Sequence, residues 1–100
     1  IISLCKENDI LLIEDTCESI GSKYNGEKLG TFGDLSTFSF YFGHHMSTIE
    51  GGMVSTNDED LYHILLSIRS HGWDRDLPQK KQVELREKYN IYLPFQGLIL

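Results

Sequence analysis

A short apolar run that ends in two acidic residues constrains the fold more than any other feature of the sequence. Residues 10–13 read Ile-Leu-Leu-Ile, and Glu14 and Asp15 follow directly. A continuous apolar run of this length is typical of a strand buried on both faces, as in a parallel sheet. The two carboxylates would then lie at the carboxyl end of the strand, the edge where open α/β sheets bind ligands. The pattern leaves open whether they bind a ligand or serve as solvated, capping groups.

The residues around this run predict further elements of an α/β fold. Residues 1–8 are typical of the end of a helix, and Asn25-Gly26 is a strong hairpin signal. Residues 35–40 are rich in aromatic and β-branched side chains and predict a second strand. A short returning strand is expected at residues 53–56.

The last third of the chain predicts helices separated by a loop. Apolar residues recur at helical spacing between 58 and 69, and Gly72 follows as a stop signal. Residues 74–81 are polar and predict a loop, and residues 83–89 predict a short charged helix.

Composition excludes several classes of partner. The chain carries 15 acidic and 9 basic residues, a net charge of −6, so it would repel a phosphate backbone and nucleic acid is not an expected partner. No run of residues is apolar for long enough to span a bilayer. Cys5 and Cys17 are too far apart for a metal or redox motif, and we expect two reduced thiols in a cytoplasmic protein.

The two ends of the sequence predict an internal piece of a longer protein. The chain opens on Ile1 without a methionine and closes on the apolar run at residues 97–100. Free termini are usually polar and exposed. A processed mature chain is the alternative.

Two polar positions after the second predicted strand are candidates for chemistry. His44 and His45 lie in a glycine-flanked loop. Adjacent histidines rarely bind one metal ion well, so a metal site is not expected, whereas histidine exchanges protons near neutral pH and can serve as a general base. Ser39, at the end of the strand, can donate a hydrogen bond to a phosphate. The ordinary alternatives are an exposed histidine pair and a serine that caps a turn.

Taken in order, five blocks of sequence resemble one family. They are EDTCESIG at residues 14–21, GTFGD at 30–34, TFSF at 37–40, the stretch from His44 to the Glu-Gly-Gly at 50–52, and RSHG at 69–72. Over about residues 1–75 they resemble the DegT/StrS-type family of pyridoxal-phosphate-dependent nucleotide-sugar aminotransferases and dehydratases. The resemblance implies that residues 1–100 are a fragment of the large domain of a fold-type I transferase, with a mostly parallel sheet flanked by helices. The N-terminal part of that domain and the C-terminal small domain would be missing.

The resemblance also implies a cofactor site. Asp15 matches the aspartate that pairs with the pyridine nitrogen, and Ser39 matches the serine that binds the cofactor phosphate. Relatives often carry Gln or His at the position of Glu18, so this carboxylate is a departure. We expect it to accept a hydrogen bond from the cofactor or to position a water molecule.

His44 is the most informative departure from the family pattern. The lysine that holds the cofactor lies six residues before the glutamate of the Glu-Gly-Gly block, and counting back from Glu50 gives His44. Imidazole cannot form the lysine's covalent bond with the cofactor aldehyde, so pyridoxal or pyridoxamine phosphate would be held without a covalent bond, and His44 would move protons. This resembles the dehydratase branch, which removes the 3-hydroxyl of nucleotide-linked 4-keto-6-deoxy sugars. Glutamate would restore the amine form of the cofactor, and the site would lie between the two subunits of a homodimer.

Several alternatives remain beside this one. An ordinary nucleotide-sugar aminotransferase is disfavoured because the lysine is missing. A dehydratase of the iron–sulfur type needs cysteines after the histidine, and none follows Cys17. Two further alternatives are not enzymes. One is a non-catalytic fragment that only binds cofactor or a partner subunit, and the other is an unrelated α/β binding module.

Overall fold

The computed structural model describes residues 1–89, which belong to two compact units. The first unit is Ile1–Asp58 and the second begins at Glu59. The first contains helix α1 and strands β1 to β5; their bounds are Ile2–Glu7 (α1), Ile13–Asp15 (β1), Lys23–Tyr24 (β2), Glu27–Lys28 (β3), Leu35–Ser39 (β4) and Gly52–Ser55 (β5). The second contains helices α2, Glu59–Arg69, and α3, Gln79–Lys88.

The first unit has a three-stranded mixed sheet in the order β1-β4-β5. Strands β1 and β4 are parallel, with Ile13 opposite Leu35 and Asp15 opposite Thr37, and β5 returns antiparallel to β4. This confirms the α/β prediction and both predicted strands after residue 34. Because β1 and β4 run in the same direction, the segments that follow Asp15 and Ser39 leave the sheet at one edge.

The Asn25-Gly26 turn joins β2 and β3 as predicted. Asn25 has φ of 50° and Gly26 has φ of 86°, the left-handed conformations that a two-residue hairpin of this twist requires. Tyr24 lies opposite Glu27 in the resulting antiparallel pair. The local sequence signal was therefore sufficient here.

The prediction that residues 10–13 form a strand buried on both faces is wrong for the described part of the chain. The strand begins only at Ile13, and the side chains of Ile10, Leu11 and Ile13 are 57%, 64% and 59% exposed. Burial on both faces requires layers packed over the sheet. Within residues 1–58 the structure describes one helix, of six residues, which is too short to provide them.

In the second unit, α2 follows the predicted bounds closely and ends in a Schellman motif. The N–H of Gly72 donates to the carbonyl of Ser67 at 2.8 Å, and the N–H of His71 donates to that of Ile68 at 3.0 Å. His71 takes the left-handed position, with φ of 58°, ahead of the glycine that the sequence marks as the stop.

Helix α3 begins earlier than predicted. It starts at Gln79, directly after Pro78, so the predicted loop at residues 74–81 is wrong at its C-terminal end. The Pro78 carbonyl accepts the N–H of Gln82 at 3.0 Å and forms the first helical turn. Leu77 is the one buried hydrophobic side chain among residues 1–89. No helix within this range is long and apolar enough to cross a membrane.

Candidate functional site

The sequence pattern treats Glu14 and Asp15 as one pair of carboxylates, but their surroundings differ. Successive side chains of a strand point to opposite faces. The Glu14 carboxylate accepts three backbone N–H groups: Oε1 from Phe32 and Gly33, both at 2.7 Å, and Oε2 from Gly30 at 2.8 Å. Burial pushes the pKa of Glu14 upward, but the three hydrogen bonds outweigh burial and leave the pKa below its ordinary value. Glu14 is therefore an ionised anchor for the loop at residues 30–33.

Asp15 lies exposed at the carboxyl end of β1. Its Oδ1 atom accepts the backbone N–H of Cys17 at 3.2 Å and the hydroxyl of Thr37 at 3.3 Å. The hydrogen bonds from the thiol and backbone of Cys17, and then that from Thr37, hold the pKa of Asp15 below its ordinary value. The group is thus an ionised carboxylate at the sheet edge.

The turn that follows Asp15 is fixed by Thr16. Its N–H and its hydroxyl both donate to the Thr37 carbonyl, at 3.0 and 2.6 Å, and the Thr16 side chain is buried. Ser19 then donates its N–H to the Thr16 carbonyl at 3.1 Å. This turn holds Glu18 at the same edge of the sheet.

The loop after β4 returns toward this turn. Ser39 is the last residue of β4, and its Oγ accepts the N–H of Tyr41 at 3.3 Å. The Tyr41 carbonyl in turn accepts the N–H of His44 at 3.0 Å. The Phe40 carbonyl accepts the N–H of Thr48 at 2.9 Å, which closes the base of the loop.

The imidazole of His44 faces Glu18. His44 Nε2 lies 3.7 Å from Glu18 Oε1, longer than a hydrogen bond but close enough for electrostatic attraction once the ring is protonated. The ring meets Tyr41 edge-on, with centroids 5.8 Å apart. Its Nδ1 atom is enclosed and has no hydrogen-bond partner among residues 1–89. Proton exchange with a bound molecule would therefore use Nε2.

The structure brings the four residues named from sequence to one edge of the sheet. His44 and Glu18 are direct neighbours, while Asp15 and Ser39 end adjacent parallel strands without a hydrogen bond to His44 in the described part of the chain. Residues 1–89 contain no group of three or more His, Cys, Asp and Glu side chains that could hold a metal ion.

Sequence reasoning missed the residues that support this edge. Thr16 and Thr37 connect the two strands, and Tyr41 packs against the imidazole. A threonine opposite an aspartate in a parallel pair would have been the signal for Thr37. That signal requires the strand register, which the sequence does not supply.

The described fold and site agree with the family that the sequence indicates. The profile of the DegT/DnrJ/EryC1/StrS aminotransferase family matches residues 1–93, and the chain belongs to this family. Its α/β architecture is that of the large domain of these fold-type I enzymes.

Among individual proteins, the chain is similar to the GDP-4-keto-6-deoxy-D-mannose 3-dehydratase of Escherichia coli, with 47% identity over 93 residues, covering 86% of this chain and 24% of the relative. It is 49% identical over 72 residues to an E. coli GDP-perosamine synthase, covering 72% of this chain and 20% of that protein. A solved structure of the E. coli dehydratase with bound hydrated PLP superposes with a TM-score of 0.70 at 42% identity, covering 97% of this chain and 27% of that one. The chain thus spans about a quarter of the length of these relatives.

Proposed function

We propose that this chain is part of a pyridoxal-phosphate-dependent 3-dehydratase that acts on a nucleotide-linked 4-keto-6-deoxyhexose. The observation that carries the proposal is His44, an imidazole at the position that the resemblance assigns to the family's lysine, with Nε2 3.7 Å from Glu18 Oε1. The similarity to GDP-4-keto-6-deoxy-D-mannose 3-dehydratase supports a GDP-linked substrate of the mannose type, as in the colitose pathway.

The proposal includes the expectation that residues 1–100 are an internal segment of the cofactor-binding domain. Support comes from the coverage of about a quarter of the relatives and from the exposed apolar side chains of Ile10, Leu11 and Ile13. Contiguous exposed apolar surface is usually covered by other protein. The longer enzyme would supply that cover.

The residues present fit the cofactor. An ionised carboxylate suits a protonated pyridine nitrogen, and the hydrogen bonds to Asp15 keep it ionised. The Ser39 hydroxyl accepts the N–H of Tyr41, so its own proton is available to a phosphate oxygen. Asp15 would hold the ring nitrogen and Ser39 the phosphate.

When bound in its amine form, the cofactor supplies the amino group for the sugar ketone and a ring that accepts electrons. His44 supplies proton transfer at Nε2. It first accepts a proton as a base, then donates one to the departing 3-hydroxyl as an acid, a sequence suited to imidazole. It makes no covalent bond to the cofactor.

Glu18 is proposed to serve both the cofactor and His44. Its carboxylate would accept a hydrogen bond from the cofactor or position a water molecule. Because Glu18 Oε1 lies 3.7 Å from His44 Nε2, we also expect the carboxylate to stabilise the imidazole while the ring carries the proton. Glu18 is exposed, so solvent weakens this attraction until a ligand covers it.

The remaining parts of the proposal concern the surroundings of the reaction. Free glutamate would regenerate the amine form of the cofactor, the enzyme would be a homodimer with its site between subunits, and it would work in the cytoplasm. Neither nucleic acid nor a membrane is an expected partner.

The alternative is a nucleotide-sugar aminotransferase. The family name and the 49% identity to GDP-perosamine synthase favour it, and overall identity does not separate the two reactions. A third possibility is a non-catalytic chain that binds only cofactor or a partner subunit. The residue at position 44 decides between the first two, because transamination in this family uses the lysine as its proton carrier.

The test is turnover of GDP-4-keto-6-deoxy-mannose by the full-length protein with pyridoxamine phosphate and glutamate. The dehydratase should release one ammonia and one 2-oxoglutarate per sugar and yield a 4-keto-3,6-dideoxy sugar. An aminotransferase would retain the nitrogen on the sugar, and a binding protein would release nothing. His44→Asn should abolish ammonia release, whereas His45→Asn, at the exposed neighbouring histidine, should not.

A further inference from the structure

A small hydrogen-bonded cluster surrounds one oxygen of Asp15. Two of its donors, the Cys17 N–H at 3.2 Å and the Thr37 hydroxyl at 3.3 Å, reach Oδ1. The Cys17 thiol is a third hydrogen-bond donor to the same carboxylate. The two bonds to Oδ1 hold the carboxylate in one orientation at the end of β1.

The direction of the hydrogen bonds in this cluster follows from the protonation of its members. The hydrogen bond to the Asp15 carboxylate raises the pKa of the Cys17 thiol, and the Thr37 hydroxyl lowers it by a smaller amount. The thiol therefore keeps its proton and donates it to the carboxylate. Thr37 Oγ1 lies 3.7 Å from Cys17 Sγ and 3.3 Å from Asp15 Oδ1, and its hydroxyl donates to the charged carboxylate, the stronger acceptor.

Thr37 is well placed to impose an orientation because its own position is fixed. Its carbonyl accepts both donors of buried Thr16, and its Cα pairs with that of Asp15 across the parallel ladder. A β-branched side chain has few χ1 choices. The backbone of Thr37 is thus fixed by two independent constraints, and its branched side chain has few orientations left.

We infer that Thr37 is a positioning residue for Asp15, and that its hydroxyl holds the carboxylate in the orientation that would accept the protonated nitrogen of the pyridine ring. The inference rests on the proposed function. It assigns to Thr37 an effect on cofactor affinity and on the ionisation of Asp15, with no direct contact to the sugar.

The first test measures binding of pyridoxamine phosphate to the full-length protein as a function of pH. Thr37→Val removes the hydroxyl while keeping the shape, and should weaken binding at neutral pH on the order of tenfold, the effect of losing a hydrogen bond to a charged group. Thr37→Ser should restore affinity. Thr31→Val removes an exposed hydroxyl that donates to the Lys28 carbonyl and should change nothing.

The second test needs no cofactor. In the ¹³C-aspartate-labelled apoprotein, with the Asp15 signal assigned through Asp15→Asn, the pKa of Asp15 should rise toward its ordinary value of 3.8 in Thr37→Val and stay low in Thr37→Ser. Cys17 and Glu18 are the titratable groups beside Asp15. Loss of the Thr37 hydroxyl removes an interaction that lowers the pKa of the Cys17 thiol, so the thiol stays protonated in Thr37→Val.

The two tests separate the inference from the proposed function. If the unaltered protein fails to bind pyridoxamine phosphate, the proposed function is wrong, and the titration still tests Thr37. Equal affinities and equal Asp15 pKa values in the valine and serine variants would overturn the inference. Circular dichroism checks that Thr37→Val retains the fold. A Thr37→Ser variant that binds pyridoxamine phosphate as weakly as the valine variant would also contradict the inference.

Discussion

Glu14 makes the most quantitative prediction because a single carboxylate carries three backbone hydrogen bonds. We consider Glu14→Gln. The amide keeps one oxygen, which can still accept from Phe32 and Gly33, but its NH₂ group faces the N–H of Gly30 and cannot accept. One charge-assisted hydrogen bond is lost and two become neutral.

The expected cost follows from these changes. A hydrogen bond to a charged group contributes about 1.5–3 kcal/mol, and the partly buried N–H of Gly30 would lose this acceptor. We therefore expect the free energy needed to open the loop at residues 30–33 to fall by about 2 kcal/mol. At about 1.4 kcal/mol per factor of ten, its amides would exchange with solvent roughly thirty times faster.

Hydrogen exchange measured by mass spectrometry on peptides that cover residues 29–34 of the full-length protein checks this estimate. Glu27→Gln, at an exposed glutamate of the hairpin, is the matched control and should leave exchange unchanged. Equal protection in Glu14→Gln and the unaltered protein would refute the anchoring role.

The same carboxylate predicts a pH dependence. Because the pKa of Glu14 is lowered in the folded state, its stabilisation is fully present above the ordinary value of 4.5 and is lost as pH falls through the folded value. After correction for intrinsic exchange rates, protection of the loop should decline in that acid range. In Glu14→Gln it should not depend on pH there.

Three further predictions concern other parts of the chain. His71→Gly should stabilise the end of α2 by about 0.5–1 kcal/mol, because glycine adopts the left-handed φ of 58° without a Cβ penalty, and thermal unfolding measures the gain. Arg86→Met should lower the free energy of unfolding by about 3 kcal/mol, because it leaves fully buried Asp74 without its ion-pair partner. Adding Asp74→Leu should recover much of that loss, as measured by urea denaturation. If the effects of the two substitutions simply add, the pairing is contradicted. His44→Lys should create a covalent, borohydride-trappable attachment to pyridoxal phosphate, and a lysine that stays unmodified would mean that position 44 does not face the cofactor.

Local features of the fold could be predicted from sequence because their causes are local. Asn25-Gly26 specifies a turn whatever surrounds it, and the apolar spacing of residues 58–69 specifies a helix face. Burial of residues 10–13 was predicted wrongly because burial depends on neighbouring layers, and the one helix described within residues 1–58 has only six residues.

The candidate site was predicted only as far as the family pattern reaches. That pattern identifies Asp15, Glu18, Ser39 and His44, and the structure adds which of them are neighbours. The separate duties of Glu14 and Asp15 depend on strand direction and loop path. The support from Thr37 depends on the register between β1 and β4. A stretch of 19 residues separates the end of β1 at Asp15 from the start of β4 at Leu35.

The central claim is that an imidazole replaces the amine that would bind the cofactor covalently. Borohydride reduction of the full-length protein with pyridoxal phosphate, followed by peptide mass spectrometry, tests it most directly. The account predicts no cofactor mass on any lysine and none on His44. A reduced cofactor attached to a lysine would contradict it.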